Sequence, residues 1–132
     1  MKKILLPLIA LAVSSPAAAQ SIVVVTAPQA DSETLPVAYA ELKAGENQAA
    51  SEKLIGETTL DRRDPSRLIN LGTGYARLGR TAGAGAAYDS AIGRPVRYDV
   101  ELANGDYVDS RWAARTALAN LNQGKPLLAL AR

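Results

Sequence analysis

The sequence contains no cysteine, no histidine and no phenylalanine. Without cysteine there is no disulfide framework, and without cysteine and histidine the thiolate and imidazole ligands of metal sites are missing. The same absences exclude cysteine nucleophiles and every Ser-His-Asp triad. The chain of 132 residues is 48% hydrophobic and 21% charged, which is the composition of one small globular domain. Its stability must therefore come from packing alone.

The first residues have the pattern of a secretory signal peptide. Lys2 and Lys3 form a basic start, residues 4–13 are mainly apolar, and alanines fill positions 17–19, where a signal peptidase cleaves. This predicts a signal peptide at residues 1–19 and a periplasmic or secreted mature protein, with an uncleaved amphipathic anchor as the alternative. The apolar run is well below the roughly 20 residues that cross a bilayer. We therefore expect no stable membrane anchor after cleavage.

The charge balance argues against a nucleic-acid partner. The full chain has 15 Lys and Arg residues against 13 Asp and Glu residues, and loss of Lys2 and Lys3 with the signal peptide makes the two numbers equal. Nucleic-acid binding requires a clustered excess of basic side chains. We therefore expect no nucleic-acid partner.

Residues 20–34 are predicted to form an extended linker. It begins with a β-branched run at residues 22–26 and then becomes polar. This run is either an edge strand added to a sheet or a flexible segment. Both alternatives stay open, because β propensity does not distinguish between them.

Residues 35–92 have a helical pattern that capping signals divide into four short helices. Gly45 is placed to end the first helix and Gly79 to end the third. Asp64 directly before Pro65 is an N-cap followed by proline in the first helical turn. The pattern therefore predicts two helix pairs, each joined by a tight turn.

The helical segment repeats with a period of 34 residues. Small residues recur at this spacing where helices cross, and large residues recur where they fill the space between helices. The pairs are Gly45 with Gly79, Ala50 with Ala84, Leu54 with Tyr88, and Val37 with Leu71. The second unit resembles a tetratricopeptide repeat (TPR) at Leu68, Leu71, Gly72, Tyr75, Ala84, Tyr88, Ala91 and Pro95.

The chain departs from the family pattern at several positions. Leu68 replaces the tryptophan of the motif, and Pro95 comes about one residue early. In the first unit, Glu41 and Glu57 stand where the motif has tyrosine and alanine. The second unit therefore carries the resemblance.

The resemblance implies a mostly α fold. It consists of TPR-like antiparallel helix hairpins, a fragment of a right-handed α–α superhelix, within a helical domain at residues 35–123. Glycine and alanine let two helices approach closely while tyrosines fill the space on either side. We expect the following residues to meet across one antiparallel helix pair: Leu71, Tyr75, Ala84 and Tyr88.

Residues 96–108 break the helical pattern and predict a β-hairpin insertion. Apolar and charged residues alternate, which is typical of a strand with one covered face. Asn104 and Gly105 predict a tight turn with two residues at positive φ. Because an isolated hairpin is marginal in water, we expect it to pack on helices or to gain a strand from residues 22–26.

A C-terminal capping helix follows the hairpin. Asp109 or Ser110 is placed to cap its start, and Gly124 to stop it. Trp112 lies near the start beside alanines, which favours a plug of the core over a binding hot spot. Residues 124–132 form a short apolar tail.

Four acidic residues near the hairpin turn are candidates for metal binding or acid–base chemistry, since both need convergent carboxylates. They are Asp99, Glu101, Asp106 and Asp109. Alternation places the first two on the outer face of the hairpin, and no calcium-loop pattern is present. Solvated strand and cap positions are therefore the favoured interpretation.

The third predicted helix carries a polar stripe. Ser66, Asn70, Thr73 and Arg77 have the spacing of one helix face. In TPR proteins the first helix of each pair generally lines a concave groove. The resemblance therefore implies protein-binding residues at Tyr39, Lys43, Asn70, Thr73 and Arg77, with ordinary exposed polar side chains as the alternative. Lys43 and Arg77 on one wall would favour an acidic peptide or a C-terminal carboxylate.

These features predict an exported TPR-like adaptor that binds a protein or peptide partner through this groove. The chain is predicted not to be an enzyme and to need neither a metal nor a cofactor. Two alternatives stay open: a carboxylate-dependent hydrolase that uses the acidic hairpin region, and a structural envelope protein that self-associates through residues 22–26.

Overall fold

A computed structural model describes residues 22–25, 37–56 and 63–124. The predicted signal peptide at residues 1–19, most of the linker, and the tail after Gly124 lie outside these residues. The described residues contain five α-helices and one two-stranded antiparallel sheet. In chain order the elements are α1 (Tyr39–Ala44), α2 (Asn47–Gly56), α3 (Pro65–Arg77), α4 (Thr81–Ile92), β1 (Asp99–Glu101), β2 (Tyr107–Asp109) and α5 (Ser110–Asn122). The mostly helical fold with a small hairpin is confirmed.

The predicted helix ends are present. The Asp64 side chain accepts hydrogen bonds from the backbone N–H groups of Ser66 and Arg67, and Pro65 occupies the first turn of α3. Gly45 and Gly79 have φ angles of 77° and 75°, in the left-handed region that glycine enters without steric cost. Both glycines therefore end the first helix of a pair in the same backbone conformation, 34 residues apart.

Helices α3 and α4 pack closely and run antiparallel. Gly72 contacts Tyr88, whereas Tyr75, later in α3, contacts Gly83, earlier in α4. A Cβ atom at Gly72 would lie 2.6 Å from the Tyr88 ring, so only glycine permits this approach. Together with the fully buried Ala84, these residues form the predicted contact between the two helices.

Leu71 does not belong to that contact, contrary to expectation. It packs against a second apolar cluster that contains Leu42, Ala50 and Leu54 of α1 and α2. The reason is helical geometry, because adjacent residues point about 100° apart around the helix. With Gly72 turned to α4, Leu71 faces the first helix pair. Helix α3 is therefore packed on both sides.

The hairpin strands are shorter than predicted. Val100 pairs with Val108, and Val96, the predicted start of the first strand, lies outside the sheet and is 62% exposed. The turn also differs, because only Gly105 has a positive φ, 89°. Leu102 N–H donates to the Asp106 carbonyl, and Gly105 N–H donates to Leu102. This is a three-residue turn with glycine in the left-handed position.

Segment 22–25 pairs with the edge of the two-stranded hairpin through one isolated bridge. Val24 forms an antiparallel bridge with Leu102. Ile22 and Val24 belong to the apolar cluster of α3, α4, α5 and β1, and Val23 belongs to the cluster of α1 and α2. Segment 22–25 thus joins the two clusters.

Trp112 is not a plug of the core, which corrects the prediction. It is 44% exposed, although Asp109 caps its helix as predicted by accepting from the Trp112 N–H. Ala113, Ala114 and Ala117 form the middle of the buried face of α5, which also includes Ser110 and Asn120. Because three alanines form the middle of this face, α5 packs on its neighbours without room for an indole ring.

Among the described residues, no helix has both the length and the apolar character that a membrane span requires.

Candidate functional site

The polar stripe of α3 faces the interior of the protein. Asn70 and Thr73, which were predicted to line an open groove, are both fully buried. Their polar atoms contact segment 22–25 of the same chain. A peptide in extended conformation therefore occupies this face of α3, and that peptide is the protein's own.

Asn70 binds the peptide backbone at two adjacent groups. Its Oδ1 accepts from the Val24 N–H at 2.7 Å, and its Nδ2 donates to the Val24 carbonyl at 2.8 Å. The same Nδ2 donates to the Val37 carbonyl at 2.7 Å. The side-chain amide thus pairs with Val24 much as a neighbouring strand would, and this recognition does not depend on the side chain of the bound residue.

Thr73 extends this recognition by one position along the peptide. Its Oγ1 donates to the Ile22 carbonyl at 2.6 Å and lies 3.1 Å from the Tyr88 hydroxyl. Burial raises the pKa of Tyr88 to about 12, although the bond to Thr73 opposes the shift. The neutral phenol therefore persists beneath the peptide over the whole physiological pH range.

The opposite edge of segment 22–25 pairs with β1 and the turn after it. Val25 N–H donates to the Glu101 carbonyl at 2.9 Å, and Ala103 N–H donates to the Val23 carbonyl at 3.1 Å. We call the space between these two edges the strand slot; it is formed by Asn70 and Thr73 on one side and by the backbone of Glu101 and Ala103 on the other. Within it, residues 22, 23 and 24 are all buried.

Helix α1 begins at a strained residue. Ala38 has φ 54° and ψ 34° at the start of α1 and is buried. A left-handed conformation costs a residue with a Cβ atom about 1–2 kcal/mol. The bond from Asn70 to the Val37 carbonyl, directly before Ala38, fixes the backbone at this turn.

Arg77, also predicted to line the groove, is half-buried and binds a backbone carbonyl in the last turn of α1. Its Nη1 donates to the Leu42 carbonyl at 2.7 Å and lies 3.4 Å from Oδ1 of Asn47. Burial lowers the pKa of the Arg77 guanidinium, and the nearby Tyr88 opposes that shift. Arg77 therefore serves as a cap between the two helix pairs, with part of its surface open.

Tyr39 and Lys43 are the predicted site residues that remain accessible. Lys43 is exposed and its Nζ lies 5.8 Å from the centre of the Tyr39 ring, a distance suited to a cation–π interaction. Lys43 follows Leu42, whose carbonyl binds Arg77. The two cations therefore lie at the same end of α1.

Two of the four acidic candidates near the hairpin, Asp109 and Asp106, have structural roles. Asp109 caps α5 and forms an ion pair with Arg97 at 2.8 Å. Burial raises the pKa of Asp109, but the bonds from Arg97 and from the backbone outweigh it and leave a lowered value. Asp106 bonds with Asn104 in the turn. Among the described residues no group of three acidic side chains could hold a metal ion.

One polar cluster was not anticipated from the sequence. The Tyr98 hydroxyl donates a short hydrogen bond to the Asp64 carboxylate and lies 2.9 Å from the Ser66 hydroxyl. Burial raises the pKa of Tyr98, and the bond to Asp64 raises it further. A cavity of about 200 Å³ lies beside it and includes Arg63 and Arg94 in its lining. The cluster ties the hairpin to the start of α3, and only the alternation that placed Tyr98 on the covered face hinted at it.

No protein-family model, curated protein or solved structure shows a significant match to this chain. The functional argument therefore depends on the geometry of the strand slot and of the surface around it.

Proposed function

We propose that the protein is an exported adaptor, built from TPR-like helix hairpins, that binds a protein or peptide partner. The observation that carries the proposal is the accessible pair of Tyr39 and Lys43 on α1, where the Lys43 Nζ lies 5.8 Å from the centre of the Tyr39 ring. The neighbouring face of α3 already holds an extended segment of this chain, through Asn70 at Val24 and Thr73 at Ile22. Export follows from the signal-peptide pattern at residues 1–19.

The 34-residue correspondences support the TPR-like arrangement. Gly45 and Gly79 share a left-handed backbone conformation, and Ala50 and Ala84 are both fully buried. Equivalent positions in two successive hairpins therefore have the same structural role, which is what stacked repeats require. We take the two hairpins as a fragment of a right-handed α–α superhelix.

The partner is proposed to contact the accessible part of the predicted site. Because segment 22–25 covers Asn70 and Thr73, the surface left for another protein is formed by Tyr39, Lys43 and the open edge of Arg77. An aromatic ring beside Lys43, with Arg77 bound at the Leu42 carbonyl of the same helix, favours a partner segment that carries carboxylates.

The test reverses one exposed charge. Wild-type protein, a Lys43→Glu variant and a matched Arg115→Glu variant are immobilised and exposed to a periplasmic extract of the source organism. Arg115 is exposed on α5, so its variant has the same net charge but an unchanged α1 surface. We expect Lys43→Glu to capture about tenfold less of an acidic partner, as for a loss of roughly 1.4 kcal/mol, and Arg115→Glu to capture as much as wild type.

Two outcomes contradict this proposal. Equal capture by all three proteins shows that the α1 surface does not contact the partner. A wild-type protein that retains nothing above the empty matrix shows that there is no stable partner in the extract. Circular dichroism spectra of the three proteins establish that folding is the same in each.

A further inference from the structure

We propose that segment 22–25 is exchangeable between copies of the protein, so that two copies pair by placing this segment in each other's strand slots. The partner in this interaction is a second copy of the same chain. The proposal does not depend on the adaptor function, because it concerns the inner face of α3 and not the surface around Lys43.

The strand slot requires an occupant. Asn70 and Thr73 are fully buried, and the segment satisfies the amide of the first and the hydroxyl of the second. Without the segment these groups and the apolar surface beneath Ile22 and Val24 would be open to water. Unsatisfied polar groups and exposed apolar area both destabilise a fold. Every stably folded copy therefore holds a segment in its slot.

The contacts within the slot do not specify which chain supplies that segment. The described polar contacts of the segment are hydrogen bonds to its backbone, and its buried side chains are Ile22, Val23 and Val24. The sequence known to fit these positions is the one that every copy carries. A segment from a second copy would make the same contacts, which is the condition for exchange of an element between identical chains.

The covalent connection is long enough to permit the exchange. Residues 26–36 join the segment to the start of the first helix pair, and both ends of this connection meet at one side chain. Asn70 Nδ2 donates to the carbonyl of Val24 at 2.8 Å and to that of Val37 at 2.7 Å. A connection of this length reaches about 36 Å when extended, whereas its two ends lie within one side chain of each other. It can therefore deliver the segment to a neighbouring molecule.

Concentration decides between the closed and the exchanged forms. A covalent connection of about this length holds the segment near its own slot at an effective concentration of order 1 mM. Below that concentration the closed monomer predominates, and near it exchanged dimers form in comparable amounts. Release of the segment from a folded molecule opens a buried core, so exchange is expected mainly while the protein folds. Exchanged dimers should therefore form when the protein is refolded at high concentration.

The antiparallel bridge between Val24 and Leu102 gives a direct probe. It is flanked by the bonds from Val25 N–H to Glu101 and from Ala103 N–H to Val23, which makes it a non-hydrogen-bonded pair. The Cα atoms of such a pair lie about 4.5 Å apart, a distance that a disulfide spans. Because the chain has no cysteine, a disulfide can form only between introduced residues.

The experiment uses two single variants, Val24→Cys and Leu102→Cys. They are mixed in equal amounts, unfolded under reducing conditions, refolded at about 1 mM or about 10 µM, and oxidised. The disulfide-linked heterodimer is measured by mass spectrometry of the non-reduced sample. We expect it at about 1 mM and at least about tenfold less at about 10 µM. A mixture of Val24→Cys with Ala119→Cys, at an exposed position on α5, measures random disulfide formation.

A second pair of cysteine variants, at less buried positions, provides the same measurement if the first pair does not fold. Val25 and Glu101 are only partly buried and lie beside the bridge, so Val25→Cys and Glu101→Cys disturb the core less. Wild-type protein refolded at both concentrations is examined by size-exclusion chromatography with light scattering. A dimer together with the linked heterodimer supports the proposal. A monomer at both concentrations overturns it, and so does a dimer in which neither cysteine pair links above the Ala119→Cys background.

Discussion

Substitution of Gly72 by alanine tests the close crossing of α3 and α4 on which the two-sided packing of α3 depends. A Cβ atom at this position would lie 2.6 Å from Cε1 and 2.7 Å from Cδ1 of Tyr88. Carbon atoms in ordinary contact lie about 3.5–4.0 Å apart, so the helix or the ring must move by about 1 Å. The ring has little freedom to move, because Tyr88 is fully buried and its hydroxyl bonds with Thr73.

The expected change in unfolding free energy for Gly72→Ala is the difference between two opposing effects. Overpacking of a close contact costs about 1–3 kcal/mol, and replacement of glycine by alanine within a helix gains up to about 1 kcal/mol. Because the Tyr88 ring is held in place, we take the upper part of the first range. We therefore expect Gly72→Ala to lower the free energy of unfolding by about 1–2 kcal/mol.

Gly85 offers a matched control on α4. A Cβ atom there would meet only Leu121 at 3.9 Å, an ordinary contact. Gly85→Ala should therefore show the helix-propensity gain alone and raise the free energy of unfolding by about 0.5–1 kcal/mol. Urea unfolding of both variants and of wild type, followed by far-ultraviolet circular dichroism, measures the difference. Equal stability of the two variants would refute the close crossing at Gly72.

Three further predictions concern the slot, the α3 cap and alkaline pH. Thr73→Val leaves the buried Ile22 carbonyl without its donor and should lower unfolding free energy in urea by about 1–3 kcal/mol. Thr73→Ser keeps a hydroxyl and should retain most of the wild-type unfolding free energy. Equal losses of unfolding free energy in the two variants would contradict the role of the hydroxyl. Asp64→Ala removes the α3 cap and the acceptor of Tyr98, and should cost about 1–2 kcal/mol. Asp64→Asn should lose less unfolding free energy than Asp64→Ala in the same assay. Because burial raises the pKa of Tyr88 to about 12, its unfolded form releases a proton first, so the contribution of Tyr88 to stability should be constant below pH 10 and be lost between pH 10 and pH 12. Urea midpoints across this range should fall less steeply in Tyr88→Phe, and equal slopes would disprove the assignment.

Helix boundaries were predictable because each depends on a few adjacent residues. Asp64 before Pro65 specifies a helix start through its side-chain oxygen and the fixed φ of proline. Gly79 specifies a helix end because a left-handed residue is needed there. Such signals depend on neighbouring residues, so they can be recognised in a single sequence.

Features that depend on distant packing were predicted less well. Trp112 was expected in the core because it stands beside alanines, yet those alanines bring α5 so close to its neighbours that the indole stays outside. The hairpin turn was predicted as a two-residue turn from Asn104 and Gly105. The bond from Leu102 N–H to Asp106 extends it to three residues, because pairing of the strands, and not turn propensity alone, determines the register.

The polar stripe of α3 shows most clearly what a single sequence can reveal about a site. The spacing of Asn70, Thr73 and Arg77 placed them on one helix face, which was interpreted as the wall of an open groove, whereas Asn70 and Thr73 are buried. A buried face of this kind is stable only if a partner supplies matching donors and acceptors, and an extended backbone does so at every residue. Spacing cannot indicate whether that backbone comes from the same chain or another. Segment 22–25, which had only its β-branched side chains as a signal, supplies it here, so the face that was predicted to bind a peptide binds its own.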